Sequence, residues 1–79
     1  MKREKALLHV IEAIERALYI YDYNNVDVVR DDETNMLDVI YHSRHNSFPI
    51  EQGIASFDDF DDIIELEFAL DNYEVGYVW

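Results

Sequence analysis

The sequence predicts an α+β domain: a small antiparallel sheet of three to four strands with two helices packed on it, in the order α-β-β-(β)-α-β. Three observations predict it. Apolar residues near the start recur at three- and four-residue spacing, which is the period of a helix. Two later runs, "VDVVR" and "MLDVIYHS", are rich in β-branched residues and are separated by the polar "DDETN". The 79 residues, 49% apolar and 14% aromatic, suffice for one modest core, so residues 1–79 form a single domain.

The first helix is expected over about Arg3 to Tyr19 or Tyr21. Leu7, Val10, Ile11, Ile14, Ala17, Leu18 and Tyr21 supply its apolar stripe. "YDYNN" ends it, since Asn24-Asn25 tolerates turn geometry. Two strands joined by a hairpin loop follow, and Leu37, Val39 and Tyr41 make the better inward face of the second. "RHNSFPIEQG" reads as a loop, and Ile54 and Ala55 as a short third strand. Ser56 has the character of an N-cap with Asp59 three residues on, so "FDDFDDIIELEFALD" reads as a second helix with Phe57, Phe60, Ile64 and Phe68 on one face. A strand reading competes there, because Ile64, Leu66, Phe68 and Leu70 alternate with acids. "YEVGYVW" closes the chain as a strand with Tyr73, Val75, Tyr77 and Trp79 on one face; Trp79 is either a core plug or an exposed contact.

The net charge of −12 is spread unevenly. Residues 1–44 hold nine acids and all six bases, and residues 45–79 hold nine acids and no base. Solubility requires net charge but does not require bases to be excluded from one half. There is no cysteine, which excludes a disulfide scaffold and thiolate zinc sites. The opening "MKREKALLHVIEAIERAL" is basic and then apolar, but Glu12, Glu15 and Arg16 interrupt the apolar run, and no run is long enough to cross a membrane. These features lead to the expectation of a soluble cytoplasmic protein with no membrane partner.

Asp58, Asp59, Asp61 and Asp62 crowd the start of the expected second helix, where free N–H groups stabilise carboxylates by about 0.3–1 kcal/mol each. One or two acids would satisfy a helix end. Glu65, Glu67, Asp71 and Glu74 carry the charge beyond it. On a continuous helix, Asp58, Asp61 or Asp62, and Glu65 would form a row of carboxylates about 5–6 Å apart. A nucleic-acid strand places one phosphate per roughly 3.4 Å of rise. The candidate partner-binding residues are therefore Asp58, Asp59, Asp61, Asp62 and Glu65, followed by Asp31, Asp32 and Glu33 of the hairpin loop.

With its clustered "DDFDD" and "DDE", the chain resembles the small phage-encoded inhibitors that mimic DNA: anti-restriction proteins, uracil-DNA glycosylase inhibitors and anti-CRISPR proteins. The resemblance lies in size and charge pattern. It implies a non-enzymatic inhibitor, in the host cytoplasm if phage-encoded, whose partner is a basic protein such as a nucleic-acid-binding enzyme and not nucleic acid itself. The alternative is an interaction protein of another kind, either an immunity factor for a basic toxin or a subunit that self-associates as a homodimer through the edge of "YEVGYVW".

Other chemistry has less behind it. Ser43, Ser47 and Ser56 have histidines nearby in sequence, but no glycine-rich elbow or phosphate loop accompanies them, so no catalytic residue is assigned. His42 and His45, with His9, could approach a metal but have no enforced spacing; "DDETNMLD" lacks the central glycine of a calcium loop. No cofactor or metal is assigned.

Overall fold

Small side chains set the depth at which the first helix packs. In a computed structural model that describes residues 2–42 and 50–79, helix α1 spans Arg3–Glu15 and continues as a π-helical turn over Arg16–Ile20. Its fully buried residues are Ala6, Val10, Ala13, Ile14 and Ala17. Three of the five are alanines, so the helix backbone lies close to the sheet. The expected stripe is correct at Val10, Ile14 and Ala17, while Leu7, Ile11 and Leu18 flank the buried face. Tyr21 falls beyond the π turn and is exposed. "YDYNN" ends the helix as expected: the backbone is left-handed at Asp22, with φ 56°, and bends at Asn24 before β1 begins.

Strands β1 (Asn25–Asp31) and β2 (Met36–His42) form the expected hairpin, with Val28 opposite Val39. Val26, Val28, Leu37, Val39 and Tyr41 all face the helices and are buried. Strand β3 is longer than expected, Glu51–Ser56, and pairs antiparallel with β2. A bulge interrupts that pairing between Leu37 and Val39. There Gly53, at φ 71°, donates its N–H to Asp38 Oδ1 at 3.1 Å. Residues 43–49, which include Ser43, His45 and Ser47, lie outside the described residues.

The second helix begins later than expected. Ser56 does act as a cap, its Oγ accepting the N–H of Asp58 at 3.3 Å, but the turn it starts is a 3-10 helix of three residues, Phe57–Asp59. Phe60 is extended and buried. The chain restarts at Asp62, whose Oδ1 accepts the N–H of Ile64 at 3.0 Å, and α2 spans Ile64–Asn72. Four aspartates explain the break. Aspartate is a poor interior helix former that competes for backbone N–H groups, and a continuous helix would set like charges three and four apart. Two short starts give two side-chain caps instead. From Ile64 onward the helix reading holds against the strand reading: Leu66 and Leu70 are fully buried, while Ile64 and Phe68, expected inside, are exposed.

Helix α2 returns the chain across the sheet, so β4 (Gly76–Val78) runs in the same direction as β3 and joins β1 in parallel. The result is a four-stranded sheet in the order β3-β2-β1-β4, antiparallel except at its last junction. The helices lie side by side in the same direction: Arg3 meets Glu65 at their starts, and Glu15 lies near Tyr73 at their ends. Among the described residues no helix is long and apolar enough to cross a membrane.

Candidate functional site

The end of the sheet at which β1 stops and β2 begins collects all eight acids singled out from the sequence. Asp31, Asp32 and Glu33 enter or occupy the β1–β2 turn. Its backbone is set by Asn35, which has φ 58° and donates its N–H to the Asp31 carbonyl at 2.7 Å. Asp31 Oδ1 accepts the N–H of Glu33 at 2.9 Å. The Asn35 carbonyl in turn accepts the N–H of Phe57 at 2.8 Å, and Met36 pairs with Ser56. That contact fastens the 3-10 turn carrying Asp58 and Asp59 to the hairpin turn. Asp61 and Asp62 follow directly, and Glu65 lies in the first turn of α2.

The acids are gathered, but not as a helical row. The break at Phe60 divides Asp58 and Asp59 from Asp61, Asp62 and Glu65, so the regular spacing of a single helix face does not occur. Asp32, Asp58, Asp61 and Asp62 are exposed. Asp31 and Asp62 each also hold a turn through the carboxylate.

Two bases enter this end, Arg3 from the start of α1 and Arg30 from β1 just before the hairpin turn. Arg3 lies 3.5 Å from Glu65. Arg30 lies 3.9 Å from Asp32, donates from Nε to Asn35 Oδ1 at 3.0 Å, and places its guanidinium 4.3 Å from the centroid of the Phe57 ring. Behind Phe57 stand the closing aromatics. Trp79 meets Phe57 edge-on at 6.1 Å and stacks on Tyr77 at 4.7 Å, and its Nε1 donates to Glu67 Oε1 at 3.2 Å. Trp79 is thus half-buried, a contact of the core edge. Partial desolvation, with the carboxylates of Asp71 and Glu67, holds the Tyr77 hydroxyl above its ordinary range. Sequence reasoning passed over Arg30, Asn35 and Phe57 as site residues. The usable signal was that Arg30 shares the alternating face of Val26 and Val28 beside "DDE".

A second polar constellation lies toward the other end. Arg16 Nη2 donates to Glu51 Oε1 at 2.6 Å, and the Tyr41 hydroxyl donates to Glu51 Oε2. Burial, together with Glu51, pushes the Tyr41 pKa up to about 12. Tyr23 stacks on Tyr41 with centroids 6.1 Å apart. These contacts tie the π turn to β3. A shallow groove of about 320 Å³ passes over them, lined by His9, Glu12, Arg16, Glu51, Gly53 and Ile54.

Among the described residues no three His, Asp or Glu side chains converge as a metal site requires. His42 lies 3.6 Å from Asp27, and the Ser56 hydroxyl holds the Asp58 N–H. Comparison of the chain with protein-family models, with curated proteins and with solved structures found no match in any of the three.

Proposed function

We propose that the protein is a non-enzymatic inhibitor whose acidic end occupies the basic nucleic-acid groove of an enzyme and excludes the nucleic acid. The observation that carries this reading is the Phe57–Asn35 hydrogen bond, which joins the two acidic runs at one end of the sheet. Anions held on turns that are already ordered lose little freedom on binding, which leaves more of the charge attraction as affinity. Complementary charge also speeds encounter with a basic groove and makes it salt-sensitive. Cytoplasmic placement, in the host if the chain is phage-encoded, goes with this reading. An immunity factor for a basic toxin would use the same surface, and the competition below separates the two. Self-association through β4 has less behind it, because its free edge is three residues long.

The test loads a lysate onto the immobilised protein at low salt, elutes with salt, and challenges each retained protein with a duplex oligonucleotide. The reading expects a nucleic-acid enzyme that the duplex displaces. It also expects that enzyme to be lost when Asp32, Glu33, Asp58 and Asp61 are changed to Lys with the far-ultraviolet circular dichroism unchanged. Retention that neither the duplex nor the substitutions alter overturns it.

A further inference from the structure

Helix α2 buries Leu66 and Leu70 and turns two large apolar side chains the other way. Ile64 is 57% exposed and Phe68 is 71% exposed. They stand four residues apart, one above the other on the outer face. Polar residues there would cost the fold nothing, so packing within the chain does not account for them. At about 100° per residue, acids fall on both sides of this pair: Glu65 toward α1, and Glu67 and Asp71 toward β4. Contacts fix both flanks. Glu65 meets Arg3 of α1 at 3.5 Å, and Glu67 accepts Trp79 Nε1 at 3.2 Å. Asp71 and Glu67 lie beside Tyr77. The outer face of α2 is thus an apolar centre between two acidic flanks. It shares Glu65 with the acidic end, but the proposed inhibitory reading does not use Ile64 or Phe68.

The flanks decide what can cover this ridge. A second copy packed ridge to ridge about a two-fold axis would set carboxylates against carboxylates, since residues 45–79 hold nine acids and no base. An anionic membrane surface would be repelled in the same way. The complement is an apolar stripe with positive charge on both sides. We propose that the outer face of α2 is a docking site for a basic amphipathic helix of a partner protein. A helix fits because Ile64 and Phe68 form a ridge at four-residue spacing, which enters the groove between two such rows on a facing helix. The nine residues of α2 give a ridge of about 13 Å, enough for two to three turns of the partner. Its apolar side chains close over Ile64 and Phe68. Its Lys or Arg residues reach Glu67 and Asp71 on one side and Glu65 on the other. Arg3 yields Glu65 at little cost, because both side chains of that pair are about half exposed.

The test measures binding of the full chain to a fluorescent peptide of about five helical turns, with leucines in one stripe and lysines on both sides of it. Anisotropy is read at about 150 mM salt, where the Debye length is near 8 Å. The chain should bind this peptide about tenfold or more tightly than one of the same composition whose leucines are scattered round the helix, a difference that burial of one large apolar side chain supplies. Ile64→Ser with Phe68→Ser should remove about tenfold or more of the affinity, with circular dichroism unchanged. Asp71→Asn with Glu67→Gln, which keeps an acceptor for Trp79, should weaken binding about threefold or more. Taking two charges instead from the β1–β2 turn, by Asp32→Asn with Glu33→Gln, should change it less than about twofold, because they are not on the ridge. That last pair belongs to the inhibitory reading, so the failure of either proposal leaves the other standing. Equal affinity for the scattered peptide, or serine variants that bind as the native chain does, would overturn the docking site. So would neutralised acids at positions 67 and 71 that change binding no more than those at 32 and 33. A dimer of the native chain that the serine substitutions dissolve would give the ridge to a second copy and overturn it as well.

Discussion

The Arg30 guanidinium lies 4.3 Å from the centre of the Phe57 ring, and that contact locks the hairpin turn to the segment after β3. Arg30 also donates to Asn35, whose carbonyl receives Phe57 N–H, so one side chain supports both faces of the same joint. Counted as charge alone, Arg30 would be removable from an end that already carries an excess of anions. Its contacts argue the opposite. Arg30→Gln should lower stability by about 1 kcal/mol, the range of a half-exposed cation–π contact together with one hydrogen bond. Urea unfolding followed by Trp79 fluorescence measures this. An unchanged midpoint would mean that the guanidinium is a surface counter-ion and nothing more.

The aspartates divide into those that hold backbone and those that only display charge. Asp62 Oδ1 accepts the Ile64 N–H at the start of α2, whereas Asp61 has an exposed side chain outside either helix. Asp62→Ala should cost about 1 kcal/mol, as loss of a cap does, and Asp62→Asn or Asp62→Ser should recover most of it. Asp61→Ala should stay within about 0.5 kcal/mol. Thermal midpoints of the four variants decide the matter. Equal losses at positions 61 and 62 would show that net charge, and not the cap, governs this segment.

The fold was legible where a single physical rule applied. Leu37, Val39 and Tyr41 alternate cleanly, and they form the buried face of β2. Ala6 and Ala13 were missed because a small residue adds little to an apolar stripe, although here it sets how closely the helix approaches the sheet. The start of α2 was misplaced because Ser56 is a true cap to a turn that does not propagate. The gathering of the acids was legible as composition, but the partners Arg3 and Arg30 were not. Arg3 meets Glu65 because α2 returns beside α1, and Arg30 meets Phe57 because β3 pairs with β2 next to β1; both are long-range placements that no local pattern encodes. The parallel placement of β4 is hidden for the same reason.

Alkaline pH should act through Tyr41. Its folded-state pKa is about 12, against an ordinary value of 10.0, because the hydroxyl is buried and donates to Glu51. The folded state therefore holds the proton more tightly than the unfolded chain. This contribution is fully present below pH 10 and is lost as pH rises from 10 through 12. A two-unit shift corresponds to roughly 2–3 kcal/mol. Tyr41→Phe should be less stable than the native chain at neutral pH, since Glu51 loses a donor, and should lose less stability between pH 9 and 11. Urea midpoints across that range test it. Parallel pH profiles for the two proteins would place the alkaline transition on other tyrosines.

The β2–β3 bulge depends on two residues that act as one device. Gly53 sits at φ 71°, where a side chain is strained, and its N–H is received by the buried carboxylate of Asp38 at 3.1 Å. An added Cβ would find room, its nearest neighbour being Met36 Cε at 3.9 Å, so the cost of Gly53→Ala is backbone strain and not a clash. That cost should be about 1–2 kcal/mol. Asp38→Ala removes the acceptor and leaves the Gly53 N–H without it, at about 1–3 kcal/mol. Because either change alone releases the same bulge, the double variant should lose less than the two losses added together, with a coupling of about 0.5 kcal/mol or more. A double-mutant cycle by urea denaturation measures the coupling directly. Strict additivity would show that the carboxylate and the left-handed glycine stabilise β3 independently, and that the bulge keeps its register without the hydrogen bond.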